Sequence, residues 1–233
     1  MSKVVLITGG SSGIGKSIGE FLHQKGFIVY GTSRNPEKVL NSIFPLVALD
    51  VRDVESIHLA VAQIIQTTGR LDVVINNAGV GSLTTVEKES DEVWLKVLNI
   101  NVVGTARVSK LAIPLLRQSK NAAIVNTASV AAIDGIPNRA AYSASKGAIL
   151  SLTLAMATDH LVDGIRVNAV NPCTADTPWV KRLLDQAPDA KAAKIALESR
   201  QPMGRLVSPT EIANAIMFLA SPLQASTTGT SLN

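Results

Sequence analysis

The sequence predicts an α/β fold in which a doubly wound parallel sheet of about seven strands carries helices on both faces. Short apolar runs rich in β-branched residues alternate along the chain with longer segments of helical periodicity. A glycine-rich turn joins the first such run to the first helical segment. With no linker, repeat or low-complexity tract between them, these segments predict a single domain over residues 1–233.

The strands are recognised by apolar runs that lack the alternation of a half-exposed sheet, which is typical of parallel strands buried on both faces. They are expected at Lys3–Thr8, Phe27–Thr32, Leu46–Leu49, Leu71–Ile75, Ala122–Thr127 and Ile165–Val170. A seventh strand is expected to begin at Thr230, and it is either truncated at Asn233 or short by design.

Helices are expected in the segments between these strands. Apolar residues at helical spacing place them at Lys16–Lys25, Asp53–Thr68, Ser90–Ser119, Ala140–Val162 and Ser208–Leu219. Pro114 is expected to bend the longest of them. Ser208, Pro209 and Glu211 have the pattern of a helix N-terminus. An additional helical insertion, rich in Ala and Lys, is expected at about 177–200.

Composition excludes several classes of protein. Hydrophobic residues make up 46% and charged residues 17% of the chain, which indicates a globular core rather than disorder. The net charge of +4 raises the alternative of a nucleic-acid-binding module, but the basic residues are scattered and aromatic residues are only 3%. We therefore expect no nucleic-acid partner, and retention on a polyanion column is the test.

Cysteine and histidine usage argues against disulfide and metal sites. Cys173 is the single cysteine, so an intrachain disulfide is excluded. The three histidines lie far apart without ligand spacing, so no metal is expected. The first strand begins almost at the first residue, and no apolar run approaches the ~20 residues that span a bilayer. We expect a cytoplasmic protein without a membrane partner.

The glycine-rich turn is the first candidate binding site. Glycines let the backbone approach a ligand closely, and free N–H groups at the following helix start attract phosphate. The spacing G-x-x-x-G-x-G differs from the commoner G-x-G-x-x-G, and a tight structural turn is the alternative. The candidate phosphate-binding residues are Gly9, Ser11, Ser12, Gly13, Ile14 and Gly15.

A tyrosine and a lysine one helical turn apart form the second candidate site. Tyr142 and Lys146 are expected on the same face of a helix. A phenol has an ordinary pKa near ~10, and a neighbouring ammonium group is expected to lower it. The pair is therefore a candidate proton donor and acceptor. A tyrosine at the edge of a core beside an exposed lysine is the alternative.

Four motifs in order give the chain its resemblance to a known family. They are the turn Thr8–Gly15, the sequence Asn76-Asn77-Ala78-Gly79, Ser129 after the fifth strand, and Tyr142-x-x-x-Lys146. With these motifs the chain resembles the short-chain dehydrogenases/reductases over essentially its whole length. The resemblance implies a Rossmann-like fold and an oxidoreductase that interconverts a carbonyl and an alcohol by hydride transfer.

The resemblance also implies roles for individual residues. Tyr142 is the general acid or base, Lys146 lowers its pKa and binds the nicotinamide ribose, and Ser129 holds the substrate oxygen. Asn101 binds a water that links Lys146 to solvent, with Asn99 as a rival in the same helix. The implied cofactor-binding positions also include Asp50, Val51, Asn77, Ala78, Gly79, Pro172 and Thr177.

The end of the second strand predicts the cofactor. Family members that prefer NAD usually carry an acid there, whereas this chain has Thr32. Ser33 and Arg34 are suited to a 2′-phosphate, although Arg34 as a plain surface residue is an equal alternative. The prediction is NADP(H) in preference to NAD(H). Cys173 replaces the glycine usual in the family, and is interpreted as an inert small residue or, alternatively, as a reactive thiol.

The substrate is expected at the carboxyl ends of the strands. Its walls are expected at 80–83, at 130–137 and in the insertion, where Trp179, Leu183 and Leu184 form a lid or simply pack for stability. No cluster of Arg or Lys in the sequence marks an acidic substrate. A ketone, aldehyde or secondary alcohol is expected, with oxoacyl thioesters, sugars, steroids and diketones all open.

Two further expectations concern the whole protein. A catalytically silent NAD(P)-binding regulator or scaffold is the alternative function, and the presence of Ser129, Tyr142 and Lys146 argues against it. A homo-oligomer, a tetramer or a dimer, is expected to pair the helices at Ser90–Ser119 and Ala140–Val162, because the second is apolar around much of its surface.

Overall fold

A computed structural model describes residues 2–233 and contains one sheet of seven parallel strands. Their order is β3-β2-β1-β4-β5-β6-β7, which confirms the doubly wound prediction, because the winding reverses between β1 and β4. The strands are β1 Val4–Ile7, β2 Ile28–Ser33, β3 Leu46–Ala48, β4 Val73–Asn76, β5 Ala123–Thr127, β6 Arg166–Val170 and β7 Ser231–Leu232. The short seventh strand pairs with β6 as expected.

Helices cover both faces of the sheet. They are α1 Gly13–Gln24, α2 Val54–Thr68, α3 Asp91–Leu98, α4 Gly104–Leu116, α5 Ala140–Asp159, α6 Pro178–Asp185, α7 Ala190–Glu198 and α8 Pro209–Ala220. Successive residues of a strand point to opposite faces, so Val4 and Leu6 of β1 pack in the core beneath α2, α4 and α5. Val5 and Ile7 pack in the core beneath α1 and α8.

The predicted long helix at Ser90–Ser119 is observed over residues 91–116, but it is not purely α-helical. A π-helical turn at Asn99–Val103 separates α3 from α4, and Pro114 lies within α4. The π turn contains Asn101, whose side chain bonds the backbone of another loop, as described below. Single π turns inside α-helices are frequent at functional sites, so the interruption falls where a candidate site residue needs a special orientation.

The insertion is also divided. It consists of two short helices, α6 and α7, rather than one helical segment at about 177–200. Side chains cap both, because Thr177 accepts from the amide of Val180 and Asp189 accepts from the amide of Ala192. The predicted cap of α8 is confirmed as a capping box between Ser208 and Glu211.

The remaining differences are shifts of element ends by a few residues. The first helix begins at Gly13 instead of Lys16, β4 ends at Asn76 instead of Ile75, and α5 ends at Asp159 instead of Val162. Within residues 2–233, no helix is both long enough and apolar enough to cross a membrane.

Candidate active site

The turn between β1 and α1 has the features of a phosphate-binding cradle. Gly9 and Gly13 adopt positive φ values of 66° and 53°, which L side chains rarely adopt. Ser12 precedes α1 without capping it through its side chain, so the first N–H groups of the helix are left for another acceptor. With the helix dipole behind them, these groups fit the pyrophosphate of a dinucleotide.

Two buried threonines hold this turn in place. The Thr8 hydroxyl accepts from the backbone amides of Asn77 at 2.9 Å and Ala78 at 3.0 Å. The Asn77 amide group donates to the Thr8 carbonyl at 3.0 Å, so the turn is tied to the end of β4 in both directions. The Thr32 hydroxyl, at the end of β2, accepts from the Gly9 amide at 3.2 Å. Thr8 and Thr32 were singled out from the sequence as part of the turn motif and as the cofactor-preference position, but their role in holding the turn was not predicted.

Tyr142 lies in the first turn of α5, with the Ser129 hydroxyl close enough to affect the pKa of its phenol. Burial raises the pKa of the Tyr142 phenol above its ordinary value, while the Ser129 hydroxyl and then the positive charge of Arg139 act to lower it. The net lowering of this pKa that was predicted from the sequence is therefore wrong in direction, because desolvation outweighs the effects that lower it. The phenol is protonated at neutral pH.

Lys146 is buried one turn further along α5. Its side chain is 5% exposed, and its Nζ donates to the Thr127 carbonyl at the end of β5 over 2.7 Å. The same Nζ lies 5.7 Å from the centre of the Tyr142 ring. Burial lowers the pKa of the Lys146 ammonium to about 8. The alternative of an exposed lysine beside an edge tyrosine is wrong.

Asn101 is brought to this site by the π turn. Its Oδ1 accepts from the Val80 amide at 2.8 Å, and its Nδ2 donates to the Val80 carbonyl and to the Ser145 hydroxyl, each at 2.9 Å. Ser145 in turn donates to the Tyr142 carbonyl at 2.7 Å. The rival Asn99 instead accepts from Arg107 at 2.8 Å, away from Lys146.

Asn101 therefore holds the loop after Gly79 beside the first turn of α5. Its side-chain oxygen would be 3.3 Å from a Cβ added to Gly79, and Lys146 Nζ would be 3.6 Å from that Cβ. A residue larger than glycine would thus crowd the Asn101 side chain and contact the Lys146 ammonium group.

The adenosine side of the site lies where β2 and β3 end. The Ser33 carbonyl accepts from the Leu49 amide at 2.9 Å, which brings Arg34 beside Asp50. A side-chain hydrogen bond from Arg52 lowers the pKa of the Asp50 carboxyl, and the charge of Arg34 adds to this effect. Arg34 itself is exposed. Val51 is buried against α4, where a Cβ on Gly104 would come within 2.8 Å of it.

The segment after β6 approaches the glycine turn. Thr177 caps α6 and lies near this turn, since a Cβ on Gly13 would be 4.0 Å from its methyl group. The Pro172 carbonyl accepts from the Val130 amide at 3.2 Å. Burial, with the charge of Asp134, raises the pKa of the Cys173 thiol, which argues against the reactive-thiol alternative.

Each of the three segments predicted to wall the substrate site carries an exposed apolar side chain. These side chains are Leu83, Ile133 and Trp179, one from each of the three expected walls. In the described part of the chain, no group of three or more His, Cys, Asp or Glu side chains is arranged to hold a metal ion. The site can thus receive an organic molecule with an apolar part next to a proton donor.

Several residues of the site escaped sequence reasoning because their partners are distant in sequence. Ser145 joins Asn101 to α5, and Thr127 holds Lys146 through its carbonyl. The serine lies inside the Tyr-x-x-x-Lys motif, so its position was a signal that could have been used. Arg139, three residues before the tyrosine, offered only the weaker signal of a charge next to the motif.

Comparison with known proteins agrees with this geometry. Residues 9–233 match the family profile described as Enoyl-(Acyl carrier protein) reductase. The chain is 35% identical to a 3-oxoacyl-[acyl-carrier-protein] reductase FabG of Thermotoga maritima, over 97% of this chain and 94% of that protein. It is 34% identical to 2-(S)-hydroxypropyl-CoM dehydrogenase 3 of Xanthobacter autotrophicus, over 98% and 93%. An inactive 2-(S)-hydroxypropyl-CoM dehydrogenase 2 of that organism is 40% identical, over 78% and 80%.

Solved structures resemble the whole chain. Ligand-free aldohexose dehydrogenase of Thermoplasma acidophilum has a TM-score of 0.93 at 33% identity, covering 99% of this chain and 91% of that one. ElxO with NADP bound has a TM-score of 0.92 at 30% identity, covering 100% and 96%. A 3-ketoacyl-(acyl-carrier-protein) reductase of Brucella melitensis complexed with NADH has a TM-score of 0.88 at 31% identity, covering 99% and 95%.

The match over nearly the whole chain, the identities above 30% and the shared sheet topology lead to one conclusion. The chain belongs to the short-chain dehydrogenase/reductase family, and it is an oxidoreductase that acts on CH–OH groups with NAD(P).

Proposed function

We propose that this protein is an NADP(H)-dependent oxidoreductase that interconverts a ketone or aldehyde and its alcohol, with Tyr142 as general acid and base. The observation that carries this proposal is the meeting of three side chains at the carboxyl ends of the strands. The Ser129 hydroxyl acts on the pKa of the Tyr142 phenol, and the buried ammonium of Lys146 lies 5.7 Å from the centre of the Tyr142 ring.

The protonation states suit carbonyl reduction. A bound nicotinamide supplies the hydride in that direction. The Tyr142 phenol, protonated because its pKa is raised, gives its proton to the carbonyl oxygen as charge develops there. Ser129 donates a hydrogen bond to the same oxygen. Lys146 is mostly charged below about pH 8 and stabilises the phenolate that remains.

Asn101 is a positioning residue in this proposal. Its side chain is occupied by Val80 and Ser145. It therefore acts by holding the Gly79–Val80 loop against α5, which is a different role from the water-binding one implied by the resemblance. The glycine turn, Asn77–Gly79, Asp50, Val51, Pro172 and Thr177 bind the dinucleotide.

NADP(H) is proposed as the preferred cofactor for two reasons. Thr32 stands at the position of the acid that binds the ribose in NAD-preferring relatives, and its hydroxyl is occupied by the Gly9 amide. Arg34 next to it is exposed and free to meet a 2′-phosphate. Both NADP and NADH occur in the similar structures, so the preference depends on these residues.

The decisive experiment follows NADPH consumption with a panel of ketones and aldehydes for the wild type and Tyr142→Phe. Loss of the proton donor is expected to lower kcat by about 10²- to 10⁴-fold. Tyr30→Phe is the matched control, because Tyr30 is the other tyrosine and lies buried in β2. A Tyr142→Phe enzyme with the wild-type rate would exclude the proton-transfer role.

A catalytically silent NAD(P)-binding protein is the second candidate function. The observation that favours it is the similarity to a relative whose name describes it as inactive. In that case the protein would bind NADPH, seen as a change in nicotinamide fluorescence, yet reduce no member of the panel. The intact set of Ser129, Tyr142 and Lys146 favours the enzyme.

Three wider features belong to the same proposal. The helices α6 and α7 form a mobile cover over the substrate, with Trp179 on its inner side.

The protein assembles as a dimer or tetramer through α4 and α5. These helices flank a groove of about 320 Å³ lined by Ile113, Leu152 and Met156 among others. Its cytoplasmic location stays a prediction from the sequence.

A further inference from the structure

Arg139 connects three parts of the substrate side. It directly precedes α5, and Asn138 before it has a left-handed φ of 58°, which fixes how the chain enters the helix. Its Nη1 donates to the Ser82 carbonyl at 3.0 Å. Its Cζ lies 5.9 Å from the ring centre of Trp179 in α6. The guanidinium group is thus held at the mouth of the site between the proposed cover and the loop after β4.

This guanidinium group is half-buried without a counter-charge. Across residues 2–233, its one hydrogen bond is to Ser82, and no carboxylate lies within ion-pair distance. Burial lowers the pKa of Arg139, the Tyr142 phenol acts to raise it, and the positive charge of Arg200 lowers it further. A buried charge without a partner is unfavourable, and functional sites are where such groups are retained.

Arg200 adds a second positive charge to the field at Arg139, where it lowers the pKa of the guanidinium group. It follows α7, far from Arg139 in sequence, and its side chain is exposed. Like charges that act on one another are stabilised by a bound anion. The sequence analysis found no basic cluster that marks an acidic substrate, because these two residues lie in different segments of the chain.

Arg139 is also close to the proposed reaction centre. Its charge acts on Tyr142, where it lowers the phenol pKa after the effects of burial and of Ser129. The Nε and Nη2 groups of Arg139 have no protein partner in residues 2–233, so two donors of the guanidinium fork are available. A molecule whose carbonyl reaches Tyr142 can place a second group on these donors.

We propose that Arg139, assisted by Arg200, binds an acid group of the substrate, so that the preferred substrate is a carbonyl compound carrying a carboxylate or sulfonate. The inference rests on the proposed carbonyl reduction and adds the substrate class to it. Bidentate binding would hold the molecule by one end and orient its carbonyl toward Tyr142 and Ser129. Trp179 covers the guanidinium face and limits its hydration.

The alternative is that Arg139 only braces the Ser82 loop and α6. Bracing would affect acidic and neutral substrates alike, whereas anion binding affects only the acidic member of a matched pair. The ratio of kcat/KM between an oxo acid and its methyl ester is therefore the discriminating readout. Because this is a ratio, a loss of folded protein or of proton transfer that affects both substrates equally does not change it.

The experiment measures NADPH-dependent reduction of oxo carboxylic acids of increasing chain length, each beside its methyl ester, with oxo sulfonates as a separate arm. We expect the wild type to prefer at least one acid over its ester by about ten-fold or more. In Arg139→Gln this ratio is expected to fall about ten-fold, mainly through KM. Arg139→Lys should retain part of the preference, because it keeps the charge without the fork.

Arg182→Gln is the matched control, since Arg182 is exposed on α6 and has no side-chain partner among the described residues. An equal loss of preference in this variant would mean that a general positive field acts, and the assignment to Arg139 would be overturned. A wild type that reduces esters and acids equally also overturns it, while the proposed function stands. If no ketone or aldehyde is reduced, the proposed function itself fails.

Discussion

Lys146 is an ammonium group held almost entirely out of water by the first two turns of α5. Its one hydrogen bond, to the Thr127 carbonyl, offsets only part of the lost hydration, so its pKa falls from an ordinary value of 10.5 to about 8. The residue therefore destabilises the fold at neutral pH in order to place a cation beside Tyr142. Such a conflict between folding and chemistry is expected at a functional site.

This conflict predicts how stability depends on pH. Between about 8 and 10.5 the unfolded chain keeps a proton on Lys146 that the folded chain has lost, so stability rises with pH. From pH 8 to 9.5, a window below the raised pKa of Tyr142, the free energy of unfolding should gain on the order of 2 kcal/mol relative to Lys146→Met. Urea unfolding across this range is the measurement, with the exposed Lys191→Met as control. If plots of the free energy of unfolding against pH run parallel for the wild type and Lys146→Met, the prediction is wrong.

Arg34 gives a prediction about the cofactor. Arg34→Ala should lower kcat/KM for NADPH by about 10- to 100-fold, because a charge-assisted contact to the 2′-phosphate is lost, and should change the value for NADH little. Steady-state kinetics with both cofactors measures this, and Lys38→Ala, an exposed cation in the same segment, is the control. A wild type that prefers NADH would show the prediction to be wrong.

At the scale of elements, a chain of buried polar side chains joins the sheet to the helices α4 and α5. The Asn76 amide in β4 donates to Ser109 of α4 at 3.1 Å and to Asn126 of β5 at 2.9 Å. Asn126 donates to Thr153 of α5 at 2.9 Å. Asn76 directly precedes Asn77, and Asn126 directly precedes the Thr127 carbonyl that holds Lys146. These buried hydrogen bonds therefore fix α4 and α5 to the strand ends that carry the site residues.

Asn126→Ala should be destabilising, by about 2–3 kcal/mol, because it removes one buried hydrogen-bond partner each from Asn76 and Thr153, which keep only Ser109 and the Ile149 carbonyl. Chemical denaturation measures the loss. Asn214→Ala removes a single exposed hydrogen bond within α8 and should cost less than about 0.5 kcal/mol. A similar loss of stability in the two variants would mean that the buried hydrogen bonds of Asn126 contribute little to the free energy of unfolding.

The elements themselves were largely predictable from the sequence, and the exceptions have physical reasons. Six strands were predicted because each lies in a mainly apolar run, and α8 because its capping box is local. The π turn between α3 and α4 was missed because its side-chain contacts are tertiary: Asn101 bonds Val80, which comes from another loop. Pro114 lies inside α4, and the bend expected there stays a prediction.

At the scale of the whole molecule, α4 and α5 present the surface proposed for assembly. If the groove between them is an interface, light scattering should give the mass of a dimer or tetramer. Ile113→Glu, in the groove, should shift the mass toward the monomer, because a carboxylate buried without a partner is unfavourable. Leu59→Glu on α2 places the same charge on an exposed leucine and should leave the mass unchanged. A monomer for the wild type would contradict the proposal.

The residues of the site could be predicted only where they belong to short sequence motifs. The glycine turn, Asn77, Ser129, Tyr142 and Lys146 were named because each lies in a short pattern with its own chemistry. The contact of Arg139 with Trp179, and the effect of the Arg200 charge on Arg139, arise only in the folded chain. The pKa of Tyr142 was wrong in direction because spacing along a helix shows neighbouring charges but not the extent of burial.

The bond from the Gly9 amide to Thr32 has a consequence for redesign. Thr32 is 1% exposed, so an aspartate introduced there to recruit NAD would either enter a dry environment or pull away from the glycine turn. Nicotinamide preference in this scaffold is thus linked to the integrity of its first loop. A single substitution at Thr32 that is meant to favour NAD should therefore lower the stability of the protein. A redesign of cofactor preference should first introduce compensating substitutions near the turn.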